Sequence, residues 1–188
     1  HNTVTDNTIA HNNVCGISVE YSTYTEVFRN MVNSNNIVGI NVEGGYHNIV
    51  DDNDADANND YGIYLTSTSN NSIANNSANN TNNYEGIYLA SNANYNTLFK
   101  NYAYNNWHGI ALSYSSHNEL IQNVVTYNSI DGIHVESNSD DNNLTSNTVS
   151  DNWRGIYIEE SADNNLTDNT VQDNSKIGIF LDSSTYTM

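Results

Sequence analysis

The chain has no proline, a single cysteine and only four basic residues among 188. Each of these absences excludes something. Cys15 has no partner within the chain, so no internal disulfide holds the fold. Four Lys and Arg against 22 Asp and Glu give a net charge of −18, which a nucleic-acid backbone or an anionic membrane surface would repel. No apolar run is long enough to span a bilayer, so membrane insertion is not expected. The opening residues, HNTVTDNTIA, lack the basic stretch and apolar core of a signal peptide. The total lack of proline, with 39 asparagines in its place, departs from an ordinary globular composition and points to a repeat.

The repeat is explicit. Gly-Ile-x-(Val/Leu/Ile) occurs eight times, beginning at Gly16, Gly39, Gly62, Gly86, Gly109, Gly132, Gly155 and Gly178, a spacing of 23 residues with one of 24. Within each copy apolar and polar residues alternate, so each is a short strand with its second and fourth residues inward. Two more inward positions recur per unit. One lies about eleven residues after the glycine (Val27, Ile73, Leu98, Leu120, Leu144, Leu166). The other is small and apolar (Ile9, Val32, Ala55, Ala78, Ala103, Val125, Val149, Val171). A unit of three short strands cannot bury its own face, so the units must stack in register as an all-β parallel solenoid of about eight coils. At a strand spacing of about 4.8 Å, eight coils make a rod on the order of 40 Å long.

Asparagine recurs at the bends in two series. One is Asn7, Asn30, Asn53, Asn76, Asn101, Asn123, Asn147 and Asn169; the other precedes the glycines at Asn12, Asn35, Asn58, Asn82, Asn105, Asn128 and Asn174. Asparagine tolerates the left-handed conformation of a sharp bend, and stacked amides bond from unit to unit, so both series are expected to form ladders. A leucine-rich repeat has a similar period but needs a Leu-rich signature that is absent.

These motifs, Asn-x-(Ile/Leu)-x-x-Asn-x-(Val/Ala) followed by Asn-x-x-x-Gly-Ile-x-(Leu/Val), resemble the right-handed parallel β-helix repeat of the pectin-lyase-like superfold. The NosD-type repeat of carbohydrate-binding proteins, sugar hydrolases and archaeal surface proteins is the subset they look most like. The resemblance covers residues 1–188, read as one parallel β-helix domain that is a piece or subunit of a longer or polymeric assembly. It implies lyases, hydrolases, epimerases, adhesins, tailspikes or structural rods, and directs attention to the outer face of the Gly-Ile strand.

On that face the third residues form the column Ser18, Asn41, Tyr64, Tyr88, Ala111, His134, Tyr157, Phe180. Tyr64, Tyr88 and Tyr157 are candidates for stacking on sugar rings. Two places on stand Glu20, Glu43, Thr66, Ala90, Ser113, Glu136, Glu159 and Asp182, where like charges one strand apart share protons or bind a cation. Glu136, Glu159 and Asp182 are the candidate calcium ligands, and calcium is the one cofactor suggested. The acidic run Asp51 to Asp56 lacks the Gly and distal Glu of an EF-hand loop. Just before the glycines come Glu85, His108, Asp131 and Arg154. With His134 and Tyr157 these give the catalytic candidates: His108 or His134 as base, Asp131 to orient it, Arg154 to neutralise an oxyanion.

Motif tests weigh against catalysis. The Asp-Pro-His pattern of the superfold's epimerases and the Gly-His-Gly of its polygalacturonases are missing. A copper site has only His11 and Cys15 to draw on, and a pair is not a site. Five sequons, at Asn70, Asn75, Asn79, Asn143 and Asn165, are candidate glycosylation acceptors. The primary expectation is therefore an extracellular surface or filament protein whose coil ends are covered by flanking domains or other copies of itself, with glycans and calcium as candidate ligands. The alternative is a polysaccharide-active enzyme or a carbohydrate-binding module.

Overall fold

The computed structural model describes residues 1–184, and among them every strand pairing is parallel and in register. One sheet carries the eight Gly-Ile strands, from Cys15–Thr23 to Ile177–Asp182. A second, also of eight strands, runs from Thr3–Thr5 to Asn165–Thr167. The third is split into Thr8–Ala10 with Met31–Asn33 and the four strands from Tyr102–Tyr104 to Thr170–Gln172. Single-residue bridges Met31–Asp54–Ser77–Tyr102 carry the pairing across the split. There the outward residues are Asp54, Asp56, Ser77 and Asn79. Side chains on this face intercept the backbone: Asp56 N–H donates to Asn33 Oδ1 (2.8 Å), Asn79 N–H to Asp56 Oδ1 (3.0 Å), and Tyr104 N–H to Asn79 Oδ1 (2.8 Å).

The core is four inward rows, one residue wide. Ile40, Ile63, Ile87, Ile110 and Ile133 have no exposed surface, nor do Leu65, Leu89 and Leu112 in the next row. In the second sheet Val50, eleven residues after Gly39 though absent from the row read from the sequence, sits fully buried between Val27 and Ile73. The row of the third sheet is short-chained, Ala55, Ala78 and Ala103 with Val32 before them and Val125 and Val149 after, and it packs directly against the glycines.

The asparagines form three ladders, not two. Asn30 is representative: its N–H and its Nδ2 both donate to Asn53 Oδ1 (2.9 and 3.0 Å), and Nδ2 also donates to Val4 O (2.9 Å). The third ladder, Asn48, Asn71, Asn96, Asn118, Asn142 and Asn164, precedes the second-sheet strands from Ile49–Asp51 onward. In the series before the glycines the expected Asn82 and Asn105 are displaced. Thr81 and Asn106 occupy those rungs, and Asn152 joins them, while Asn82 and Asn105 lie exposed. Nor do the ladder asparagines adopt the left-handed conformation. The residue before each one does: Arg29, Asp52, Lys100, His47 and Ala57 all have φ between 52° and 56°. The asparagine comes next and turns its amide inward.

Candidate functional site

In-register pairing places Tyr64, Tyr88, Ala111, His134, Tyr157 and Phe180 in one outward column. The rings lie against one another. Tyr64 and Tyr88 are 5.5 Å apart at 20°, and Tyr61 and Tyr84 join the stack. Beyond Ala111, His134 stacks on Tyr157 (5.0 Å) and Tyr157 on Phe180 (5.1 Å). Facing rings leave mostly edges for a ligand. Ala111 makes no open notch either, being only 3% exposed. Exposed rings also stand one strip over, two residues before the glycines: Tyr84, Trp107 and Trp153 are 48%, 49% and 38% exposed, but Tyr84 stacks on Tyr61 and Lys176 Nζ lies 4.0 Å over the Trp153 ring, which leaves Trp107 the more open of the two indoles. The alternation count leaves this strip out because it falls in the turn, yet its offset from each glycine is constant.

The pre-glycine residues face the same side, and Asp131 is their hub. It has no exposed surface, and Arg154 grips it through Nε to Oδ1 (2.5 Å) and Nη2 to Oδ2 (2.9 Å). His108 Nε2 and His134 Nδ1 lie 3.5 and 3.7 Å from Oδ2. The far nitrogens are also occupied: His108 Nδ1 meets Glu85 Oε1 and His134 Nε2 meets Glu159 Oε1, both at 3.1 Å. Tyr157 Oη donates to Glu159 Oε2 (2.5 Å), and the Arg154 guanidinium lies 3.7 Å above the Tyr157 ring. All five catalytic candidates thus belong to one network, together with Glu85 and Glu159.

The carboxylate column is in register too, Ser113 beside Glu136 and Glu159 beside Asp182. Oxygens of Glu136 and Glu159 converge with a His134 nitrogen, all within 4.8 Å, and Asp182 is outside that group. Of the sequon asparagines, Asn70, Asn75 and Asn165 are exposed and Asn143 is half-buried. Asn79 is 7% exposed, its amide held by Asp56 and Ser77.

Burial, and next the neighbouring His108, push His134 below the usual histidine range. For Glu159 burial acts to raise the pKa, but hydrogen bonds from Tyr157 and His134 outweigh it and the group ends low. Tyr157 is pushed up by burial and by its bond to Glu159. Both shifts, at His134 and Glu159, mean that the unfolded chain takes up protons before the folded one as pH drops. Stability of the metal-free protein should therefore fall as pH is lowered, from about 6.5 through His134 and again below about 4.3 through Glu159. Urea midpoints measured in chelator-containing buffer check this. His134→Asn should flatten the upper segment, and an unchanged slope there would assign it to another group.

A rod of stacked parallel coils with its polar chemistry on one outer sheet defines the class as a parallel β-helix protein. The right-handed β-helix region family model matches residues 38–188, and the chain belongs to that family. Solved structures share the fold. The periplasmic alginate epimerase AlgG (in a mutant form) superposes with a TM-score of 0.79 at 23% identity, over 87% of this chain and 38% of its own. The A-module of mannuronan C-5 epimerase AlgE6 from Azotobacter vinelandii gives 0.75 at 14%, over 93% and 61%. An alginate lyase from a Paenibacillus species gives 0.62 at 15%, over 93% and 77%. The chain thus spans well under half of that AlgG chain. No curated protein sequence matches it significantly. The distant structural neighbours are polysaccharide-active proteins, and among the described residues no helix is long and apolar enough to cross a membrane.

Proposed function

We propose that this chain binds and acts on a polysaccharide along the outer face of its Gly-Ile sheet, between the coils of Gly86 and Gly178. The observation that carries the reading is the gathering of His108, His134 and Arg154 around the buried Asp131, flanked by the exposed ring of Trp107. Indoles offer apolar faces to sugar rings, and the network offers proton-transfer groups and a fixed cation beside them. Arg154 is already neutralised by Asp131, and the chain carries −18 overall, so a neutral or cation-bridged glycan suits the face better than a free polyanion. The fold neighbours that act on alginate support the substrate class, although the epimerase Asp-Pro-His pattern is missing here.

A panel of neutral glycans, and of pectate and alginate with calcium, should reveal one substrate by new reducing or unsaturated ends. His134→Ala and Asp131→Asn should each lower turnover by about 10² or more, and Trp107→Ala should weaken binding. Activity surviving both network changes would dismiss the site.

A second reading, a structural rod of a surface or filament, has its own support. Among the described residues strand Ile177–Asp182 is paired on one side only, with Ile179 and Leu181 49% and 60% exposed, a surface that fits another coil from the same chain or a second copy. No turnover on any glycan, with end-to-end polymers in electron micrographs, would favour it.

A further inference from the structure

Three lone pairs meet at Asp131. Glu85 and Glu159 are acceptors, so the nitrogens facing them, His108 Nδ1 and His134 Nε2, carry the ring hydrogens. In neutral imidazoles the other nitrogens then present lone pairs. Both lie close to Asp131 Oδ2, at 3.5 and 3.7 Å. That oxygen accepts one hydrogen from Arg154 Nη2 and keeps its second lone pair. With no hydrogen between them the three donors repel, unless a cation sits among them.

The spacing suits a particular kind of cation. A tetrahedral ion held at about 2.0–2.1 Å puts neighbouring donors roughly 3.3–3.4 Å apart, and here two of the three separations are 3.5 and 3.7 Å with all three atoms inside 4.8 Å. A second observation is independent of the spacing. Metal-bound histidines pass their other N–H to a carboxylate that fixes ring and tautomer, and both histidines do so here, to Glu85 and Glu159. Charge agrees: Glu85, Asp131, Glu136 and Glu159 lie against the two histidines with one guanidinium, that of Arg154, among them. Imidazole donors at tetrahedral spacing select a first-row transition ion over calcium or magnesium.

We propose that His108 Nε2, His134 Nδ1 and Asp131 Oδ2 bind a divalent transition-metal ion, zinc by donor set and spacing. Three protein ligands leave a fourth position for water or a saccharide oxygen. The side chains of His108 and His134 are 14% and 9% exposed, so the ion sits just beneath the face. With the ion bound neither histidine is a free base, and the fourth position becomes the reactive one. This site differs from the calcium ligands expected from the sequence, Glu136, Glu159 and Asp182, although it shares His134 with the neighbouring group of Glu136 and Glu159, and it stands whether or not the face acts on a polysaccharide.

The test uses the whole chain, stripped with chelator and titrated with zinc by calorimetry and with cobalt(II) by visible absorption. One equivalent should bind, cobalt should show the intense bands of tetrahedral coordination, and zinc should raise the melting temperature. His108→Gln should abolish all three effects, and Glu85→Gln, which removes only an outer partner, should weaken zinc by about 10- to 100-fold. Circular dichroism confirms that each variant folds; should His134→Gln fail to fold, the His108 and Glu85 variants carry the result. No saturable zinc binding, a six-coordinate cobalt spectrum, or native affinity in His108→Gln would overturn the proposal. So would loss of binding in Glu136→Gln with His108→Gln unaffected, which would move the ion to the other carboxylates.

Discussion

Replacing Asn101 with aspartate should lower stability by about 3–5 kcal/mol, enough to unfold a domain of ordinary stability. Asn101 is 1% exposed and uses every polar atom it has. Its Nδ2 donates to Ile73 O (2.8 Å) and Asn123 Oδ1 (3.1 Å). Its Oδ1 accepts from Asn76 N–H (3.1 Å) and Asn76 Nδ2 (3.0 Å). Aspartate keeps the accepting oxygen and loses both donors, so two buried oxygens face a buried negative charge instead of an amide. The variant escapes partly by holding a proton. Its carboxyl is therefore raised in the folded state, and the deficit should shrink as pH falls below that value and be largest at neutral pH. Asn105→Asp, at an exposed residue four positions on, should cost no more than about 0.5 kcal/mol. Urea unfolding of the two variants at pH 7 and at pH 4 measures both contrasts. Equal midpoints would mean that the ladder amides contribute nothing beyond their backbone bonds.

That pair of residues also shows where the sequence could be read and where it could not. The strands of the Gly-Ile sheet are plain, because a buried Ile and a buried Leu or Val on alternate positions can point only inward. The rung positions are less so. Counting back four from Gly86 reaches Asn82, but this coil carries an extra residue before its glycine, and Thr81 holds the rung. At Asn105 and Asn106 two identical residues compete. Only the left-handed φ of 56° at Asn105 decides which amide turns inward. The third sheet is reduced to single bridges at Asp54 and Ser77 because the neighbouring side chains of Asn33, Asp56 and Asn79 take backbone N–H groups that a strand would need, an effect that alternation does not encode. The site was legible as columns: His108, Asp131 and Arg154 at one offset, His134 and Tyr157 at another. Which atoms meet was not, since Arg154 reaching back one coil to Asp131, and Glu85 and Glu159 holding the outer histidine nitrogens, depend on side-chain rotamers.

Gly86→Ala should cost about 3 kcal/mol, although the backbone angle at this glycine is one that alanine adopts freely. The requirement is close approach. An added Cβ would lie 2.6 Å from Asn106 Nδ2, 2.7 Å from Ala78 O and 2.8 Å from Gly109 O. Two of these are backbone oxygens, Gly109 O receiving the Ile87 N–H (3.0 Å) and Ala78 O receiving Asn106 Nδ2 (3.1 Å). Neither can retreat without lengthening a bond that joins one coil to the next, so the methyl acts on the ladder and the sheet together. Gly178 holds the same repeat position with no coil above it among the described residues, where an added Cβ would meet only Val171 Cγ1, at 3.7 Å. Gly178→Ala should therefore be neutral, or stabilising by up to about 1 kcal/mol through the lost freedom of the unfolded chain. Thermal melts of the two variants separate stacking from conformational freedom. If Gly178→Ala proves as costly as Gly86→Ala, something covers that coil in solution, and a second copy of the chain seated on Ile179 and Leu181 would be the first candidate to examine by sedimentation.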